Sequence, residues 1–187
     1  MSDYTACDCC GEYHPIDEHE LLFRLPDEIF KLSDEDRDTR CRLIDELAIL
    51  DETRFFIRGV LPLPVRHRTR PYHLGLWAEV SREDFTRIFE LWGDPAQSTE
   101  PALSGSLATA VPLHPETIGL RVAIQLVGTN LRPVLFLVPL EHSLFHEQSR
   151  GIHVHRAFEY AHRESHAADS ELRRAIPVPV SDTGRAR

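Results

Sequence analysis

Arg54-Phe-Phe-Ile-Arg-Gly-Val-Leu-Pro-Leu-Pro-Val65 is the stretch on which the fold turns. Aromatic and β-branched residues dominate it, and successive side chains of a strand point to opposite faces. Phe55, Ile57, Gly59 and Leu61 therefore share one face, and Phe56, Arg58 and Val60 the other. Pro62 and Pro64 stand two apart, so their missing N–H groups fall on one edge. That fits an edge strand, or a strand running out of its sheet.

Working outward, Arg66-His-Arg-Thr-Arg-Pro-Tyr-His73 is a basic loop, solvated by the usual surface bias of Arg, with an anion grip as the alternative. Tyr72 to Val80 returns as a strand, with Leu74, Leu76, Ala78 and Val80 on one face and Gly75 and Trp77 on the other. Ser81-Arg-Glu-Asp84 opens a helix whose stripe is Phe85, Ile88, Phe89 and Trp92. Leu103 to Ala110 is ambiguous, and Leu113-His-Pro-Glu-Thr117 looks like a turn. Ile118 to Val127 and Val134 to Leu140 form a second hairpin across the turn-rich Gly128–Pro133 segment. Val134 to Leu140 is apolar on both faces, which places it centrally in a sheet. Upstream, Leu47-Ala-Ile-Leu50 suits a strand. Pro26–Leu32 and Ser33–Arg40 suit short helices, the second opened by a capping-box variant. His142–Glu147 suits a short helix, and Val154–His166 a final helix with Phe158 and Ala161 inward. The expected fold is α+β: an antiparallel sheet of about five strands with helices packed on one face. A single domain covers residues 1–166, with a mobile tail at 167–187.

Three of the four cysteines fall in Cys7-Asp-Cys-Cys-Gly-Glu-Tyr-His14. Two cysteines separated by two residues bring their sulfurs to one side of a turn. A following glycine accepts the positive φ that aims backbone N–H groups back at them. Cys7-x-x-Cys10-Gly11 has that form, and His14 and Cys41 would complete a Cys3His zinc site. The metal knuckle then spans about residues 4–41, with Cys9 as a spare thiol or a register alternative to Cys7. Buried free thiols, a redox pair and disulfides are the competing fates.

The net charge of −9 argues against a general nucleic-acid surface, which needs a basic face. No apolar run approaches the length of a membrane span. With no secretory segment before the cysteines, a cytoplasmic setting is expected. Lys31 is the only lysine, in an acidic stretch, so Schiff-base chemistry or a phosphate-loop lysine is not expected.

The ordered motifs resemble a bacterial family known only as domain of unknown function 2199. They are the Cys7–His14 head, Arg40-Cys41, Phe55–Val65, Gly75–Arg87, Leu131-Arg-Pro133 and His142–Ile152, spanning about residues 7–163. The resemblance implies a shared fold and a shared Cys/His head, and no activity. The family pattern often carries a further cysteine near the place of Ala48. If that cysteine is a usual ligand, its absence means that His14 serves in its place or that the metal is lost.

The expected function is therefore that of a soluble binding or regulatory protein stabilised by structural zinc, with an unidentified protein partner. One alternative is a metal-assisted hydrolase using the His-rich second half, where His142 and His146 stand at i, i+4 but do not form HExxH. Another is an immunity-type protein that neutralises a basic partner by charge complementarity. One candidate pocket follows from strand alternation. Arg58 is mid-strand and needs a carboxylate or carbonyl partner if its face is covered; the alternative is an open face with Arg58 in water. Glu141 and Glu147 are the candidate partners, and Arg58, Trp77, His142 and Glu147 would line the pocket.

Overall fold

The computed structural model describes residues 4–7, 9–15, 20–44 and 46–163; the expected tail at 167–187 lies outside the described residues. β1 (Tyr4–Ala6) and β2 (Tyr13–Pro15) make a two-stranded antiparallel hairpin. β3 (Leu21–Leu22), α1 (Asp27–Phe30), α2 (Asp34–Arg40), β4 (Cys41–Ile44), β5 (Leu47–Leu50), β6 (Arg54–Leu63), β7 (Tyr72–Val80) and α3 (Arg82–Leu91) follow. After a 3-10 turn at Pro95–Thr99 come β8 (Leu103–Leu107), β9 (Arg121–Gln125), β10 (Val134–Leu137), α4 (Ser143–Arg150) and α5 (Val154–Ala161). The helix starts obey their local signals. Ser33 Oγ accepts from the Asp36 N–H and Ser81 Oγ from the Asp84 N–H, each satisfying an otherwise orphaned donor.

The expected open sheet is in fact a closed barrel. β6, β7, β8, β9 and β10 pair in a ring, with β5 and β4 continuing from β6 and β3 alongside β7. Four of the ring's contacts are antiparallel; the closing one, β10 to β6, is parallel. At this seam Val134 faces Val60, and the Val60 N–H donates to Pro133 O at 2.9 Å. A Cβ on Gly59 would lie 2.8 Å from the Leu135 side chain and 2.9 Å from Pro133 O, so glycine permits the approach. Arg58 and Val60 donate from the same edge of β6, to Glu46 O and Pro133 O. Pro62 and Pro64 continue that edge with no hydrogen to give, and the seam stops where they begin.

Alternation fills the barrel. Leu61, Leu63, Leu74, Leu76, Ala78 and Leu135 are 0 % exposed. β10 is not a central strand covered on both faces: Phe136 and Val138 are 46 % and 41 % exposed, because the outer wall of a barrel faces solvent where nothing overlies it. Part of the outer wall is covered. Phe56 and Trp77 are buried there, and the Trp77 indole N–H donates to Phe23 O at 3.0 Å. The Phe23 N–H in turn donates to Gly75 O and the Asp27 N–H to Ala108 O, which seats β3 and α1 over that wall.

The helices do not share one face, since a closed barrel has none to offer. α3 and α4 lie against β6, α4 also touches β10, and α5 lies against β2. In α3, Phe85, Ile88 and Leu91 are buried and Phe89 is exposed. In α5 the buried residues are Val154, Ala157 and Tyr160, a different stripe from the expected Phe158 and Ala161. No helix among the described residues is long and apolar enough to cross a membrane.

Candidate metal centre and a buried histidine cluster

The chain reverses tightly after β1. The Cys7 N–H donates to Glu12 O and the Gly11 N–H to Cys7 O, each at 2.8 Å, with Gly11 at φ +74°. This is the turn that the Cys-x-x-Cys-Gly spacing implies. It brings Cys7, Cys9 and Cys10 together with all three sulfurs within 4.8 Å of one another. Two sulfurs on a tetrahedral zinc, each at about 2.3 Å, stand about 3.8 Å apart, so the cluster has the dimensions of a three-thiolate site. Cys7 is buried, while Cys9 and Cys10 are exposed.

The sulfurs are electrostatically unequal. Burial alone would raise the Cys7 thiol. The Cys9 side chain at 3.0 Å and the backbone N–H groups of Cys9, His155 and Cys10 outweigh it and bring Cys7 down to about 6. Cys9, sharing its hydrogen with that sulfur and lying beside it, is pushed up to about 11. A thiolate held by backbone amides is the form a metal takes.

Of the four expected ligands, Cys7 and Cys10 come together. Cys41 is not among the converging sulfurs: it opens β4, opposite Leu50, where burial and then Asp51 raise its thiol. His14 pairs with Thr5 in the hairpin, and its side chain lies outside the described residues. Cys9 is the third converging sulfur. A further imidazole comes from far along the chain, with His155 Nδ1 3.7 Å from Cys10 Sγ.

The expected pocket residues fall into two groups. Arg58 and Trp77 face each other across β6 and β7. His142 and Glu147 gather instead around His114, from the Leu113–Thr117 turn. The His114 side chain is fully buried. Its Nδ1 lies 2.6 Å from Ser143 Oγ, and its Nε2 lies 3.2 Å from Glu147 Oε2 and 2.5 Å from Tyr160 OH. Tyr160 O–H donates to Glu147 Oε2 at 2.6 Å, and Arg156 Nε–H to Glu147 Oε1 at 2.7 Å. His142 caps α4, accepting from the Leu144 N–H, and its Nε2 faces Pro115 O at 2.8 Å. Burial would raise Glu147, but hydrogen bonds from His114, Tyr160 and Arg156 hold it below the usual carboxylate range. Burial and Glu147 together push the Tyr160 phenol up. Leu113 and Glu116, on either side of His114, sit at φ +71° and +43°. Such backbone strain is held in place by its surroundings and recurs at functional sites.

In a neutral ring, Nε2 carries the hydrogen shared with Glu147 and Tyr160. Nδ1 then accepts from the Ser143 hydroxyl, which lies on an exposed residue. Serine, imidazole and carboxylate in sequence are the parts of an activated hydroxyl.

A bacterial family described as an uncharacterized protein conserved in bacteria, DUF2199, matches residues 6–152. The chain belongs to this family. Neither a curated protein nor a solved structure matches it. The DUF2199 match takes in the three clustered cysteines, His114, Ser143 and Glu147 and stops before α5, which supplies His155, Arg156 and Tyr160. Sequence reasoning missed His114 because Pro115 and its neighbours signal a turn and nothing else. It missed His155 because 145 residues separate it from Cys10.

Proposed function

We propose that this DUF2199 protein is a non-enzymatic binding module whose N-terminal hairpin is held by one structural zinc ion. The convergence of three sulfurs within 4.8 Å carries the reading. Zinc sites rich in cysteine are of the closed, structural kind, and two three-residue strands bury too little to hold a hairpin on their own. The binding surface is the cleft of about 500 Å³ beside the β6–β10 seam, lined by Pro62, Pro64, Arg68, Pro71, Phe136 and Phe145. Its mostly apolar lining and the Arg68 guanidinium suit an apolar segment of a protein partner carrying a carboxylate. Cytoplasmic residence accords with reduced thiols. Elemental analysis of untagged protein prepared without chelator tests the metal: about one zinc per chain is expected, and less than about a tenth of an equivalent removes it. Pull-down from the native host with parent and Phe136→Asp tests the cleft, since a partner that both forms capture equally does not use it.

A second reading rests on a different observation, the Ser143–His114–Glu147 relay. It would make the protein a serine-type acyl hydrolase, without the metal assistance of the sequence-based alternative. In that reaction Ser143 Oγ bonds to the acyl carbon and its proton passes to His114 Nδ1. The proton then leaves with the departing alcohol or amine, and water releases the acid. Labelling by a fluorophosphonate in the parent and not in Ser143→Ala would favour this reading; no labelling of the parent would end it.

A further inference from the structure

Three thiolates leave a tetrahedral zinc one ligand short, and what stands beside them is a helix end. His155 Nδ1 lies 3.7 Å from Cys10 Sγ. A sulfur at about 2.3 Å and a nitrogen at about 2.0 Å on a tetrahedral ion are about 3.5 Å apart, so the ring stands near the right distance from Cys10. It is outside the group of ligand atoms that lie within 4.8 Å of one another, so it must turn toward the other two sulfurs to share their ion. The backbone N–H of His155 also faces the Cys7 sulfur. One residue thus touches two of the three cysteines, through its amide and its ring. The far nitrogen, Nε2, faces Glu159 Oε1 at 3.7 Å, one turn along α5, and Glu159 Oε2 accepts from Arg156 at 2.9 Å. Metal-bound imidazoles characteristically give their other N–H to a carboxylate, directly or through water, which fixes the ring's tautomer.

We propose that His155 is the fourth ligand of a Cys7/Cys9/Cys10/His155 site, with Glu159 as its positioning carboxylate. The proposal rests on the metal reading above and replaces His14 and Cys41 in the ligand set. It gives the metal a second task. The hairpin and α5 lie at opposite ends of the described chain, and a shared ion clamps one to the other. The same helix extends Arg156 and Tyr160 to Glu147. Fixing His155 therefore fixes the helix on which the His114 cluster depends, and metal loading and the order of that cluster become linked.

The test uses the full chain with Co²⁺ as probe, backed by X-ray absorption on the zinc form. The parent should bind one Co²⁺ with strong thiolate charge-transfer bands and intense tetrahedral ligand-field bands. Absorption should give three sulfurs and one nitrogen. His155→Ala should keep the thiolate bands, lose the tetrahedral pattern and bind Co²⁺ at least about tenfold more weakly. Glu159→Gln should keep the parent spectrum with affinity down about tenfold, as outer-shell substitutions do. His14→Ala and Cys41→Ser should match the parent. Circular dichroism guards against a misfolded variant, and the absorption result needs no variant at all. Four sulfurs around zinc, or His155→Ala indistinguishable from the parent, overturns the assignment while leaving a zinc site standing. A parent that binds no Co²⁺ and no zinc overturns the metal reading itself, and His155 with it.

Discussion

The barrel and the N-terminal hairpin are made of the same kind of strand and differ sharply in what they bury. In the barrel, β6 and β7 run ten and nine residues and line an interior of fully buried aliphatic side chains. The hairpin strands have three residues each and end in a turn whose side chains are sulfurs, two of them exposed. A two-stranded ribbon of that size is marginal in water, whereas a closed ring of five strands has no free edge and a full core. The difference teaches where each region's free energy can reside: apolar burial holds the barrel, while the hairpin, on the proposed zinc reading, depends on metal–ligand bonds and the dock onto α5. Perturbations should therefore separate the two.

The largest effect belongs to the barrel interior. Leu61→Ala removes a side chain that is 0 % exposed and should cost about 2–5 kcal/mol in urea unfolding, the usual range for such a cavity. A loss below about 1 kcal/mol would mean an interior that collapses around the gap. Next comes the head. With free zinc at a hundredfold over its Kd, the parent should gain about 2.7 kcal/mol relative to the metal-free form. Cys10→Ser should show no such zinc-dependent rise in Tm. A variant that still responds to zinc would place the ion elsewhere.

The seam is third. Gly59→Ala puts a methyl against Pro133 O, a backbone atom that cannot rotate away, and should cost about 1–3 kcal/mol. Urea midpoints of the two proteins decide it, and an unchanged midpoint would mean that β10 can step back without loss. The smallest effect is the pH dependence at Glu147. Its folded pKa is depressed, so the carboxylate contributes stability that is fully present above the unfolded value of about 4.3 and is lost as pH falls through the folded one. Glu147→Gln should flatten that acid limb, since three donors lose their charged acceptor. An acid limb of unchanged slope would show that Glu147 is not the group that titrates.

Much of the barrel was legible because its signals are local. Alternation placed β6 and β7, Ser81 placed the start of α3, and turn residues placed the β9–β10 hairpin. Closure was not legible, because it depends on a parallel contact between Val60 and Val134 that no local pattern announces. Gly59 and the two prolines record it only once the partner strand is known. β4 escaped notice as an edge strand whose Arg42, Leu43 and Ile44 are exposed, so it lacks a buried face to set the period. Head and cluster divide in the same way. Cys7, Cys10 and Gly11 follow from spacing, and Gly11 takes the expected positive φ. Spacing offers Cys9 only as a spare thiol or a register alternative to Cys7, because a Cys-x-x-Cys pair leaves the cysteine between without a role of its own; in a turn this tight its sulfur falls beside that of Cys7. The expected pocket had no way to include His114, which reaches Glu147 only through tertiary folding.

The central claim is that a metal holds the head while burial holds the barrel. Amide hydrogen exchange on the full chain, with zinc and then with excess chelator, compares the two within one molecule. The Cys7 and Gly11 amides, bonded within the sulfur turn, should lose their protection when the metal is stripped. The amides shared by β6 and β7 should exchange as slowly as before, because local openings need not involve the core. Head protection that survives the chelator, or barrel protection that falls in the same step, would contradict the account.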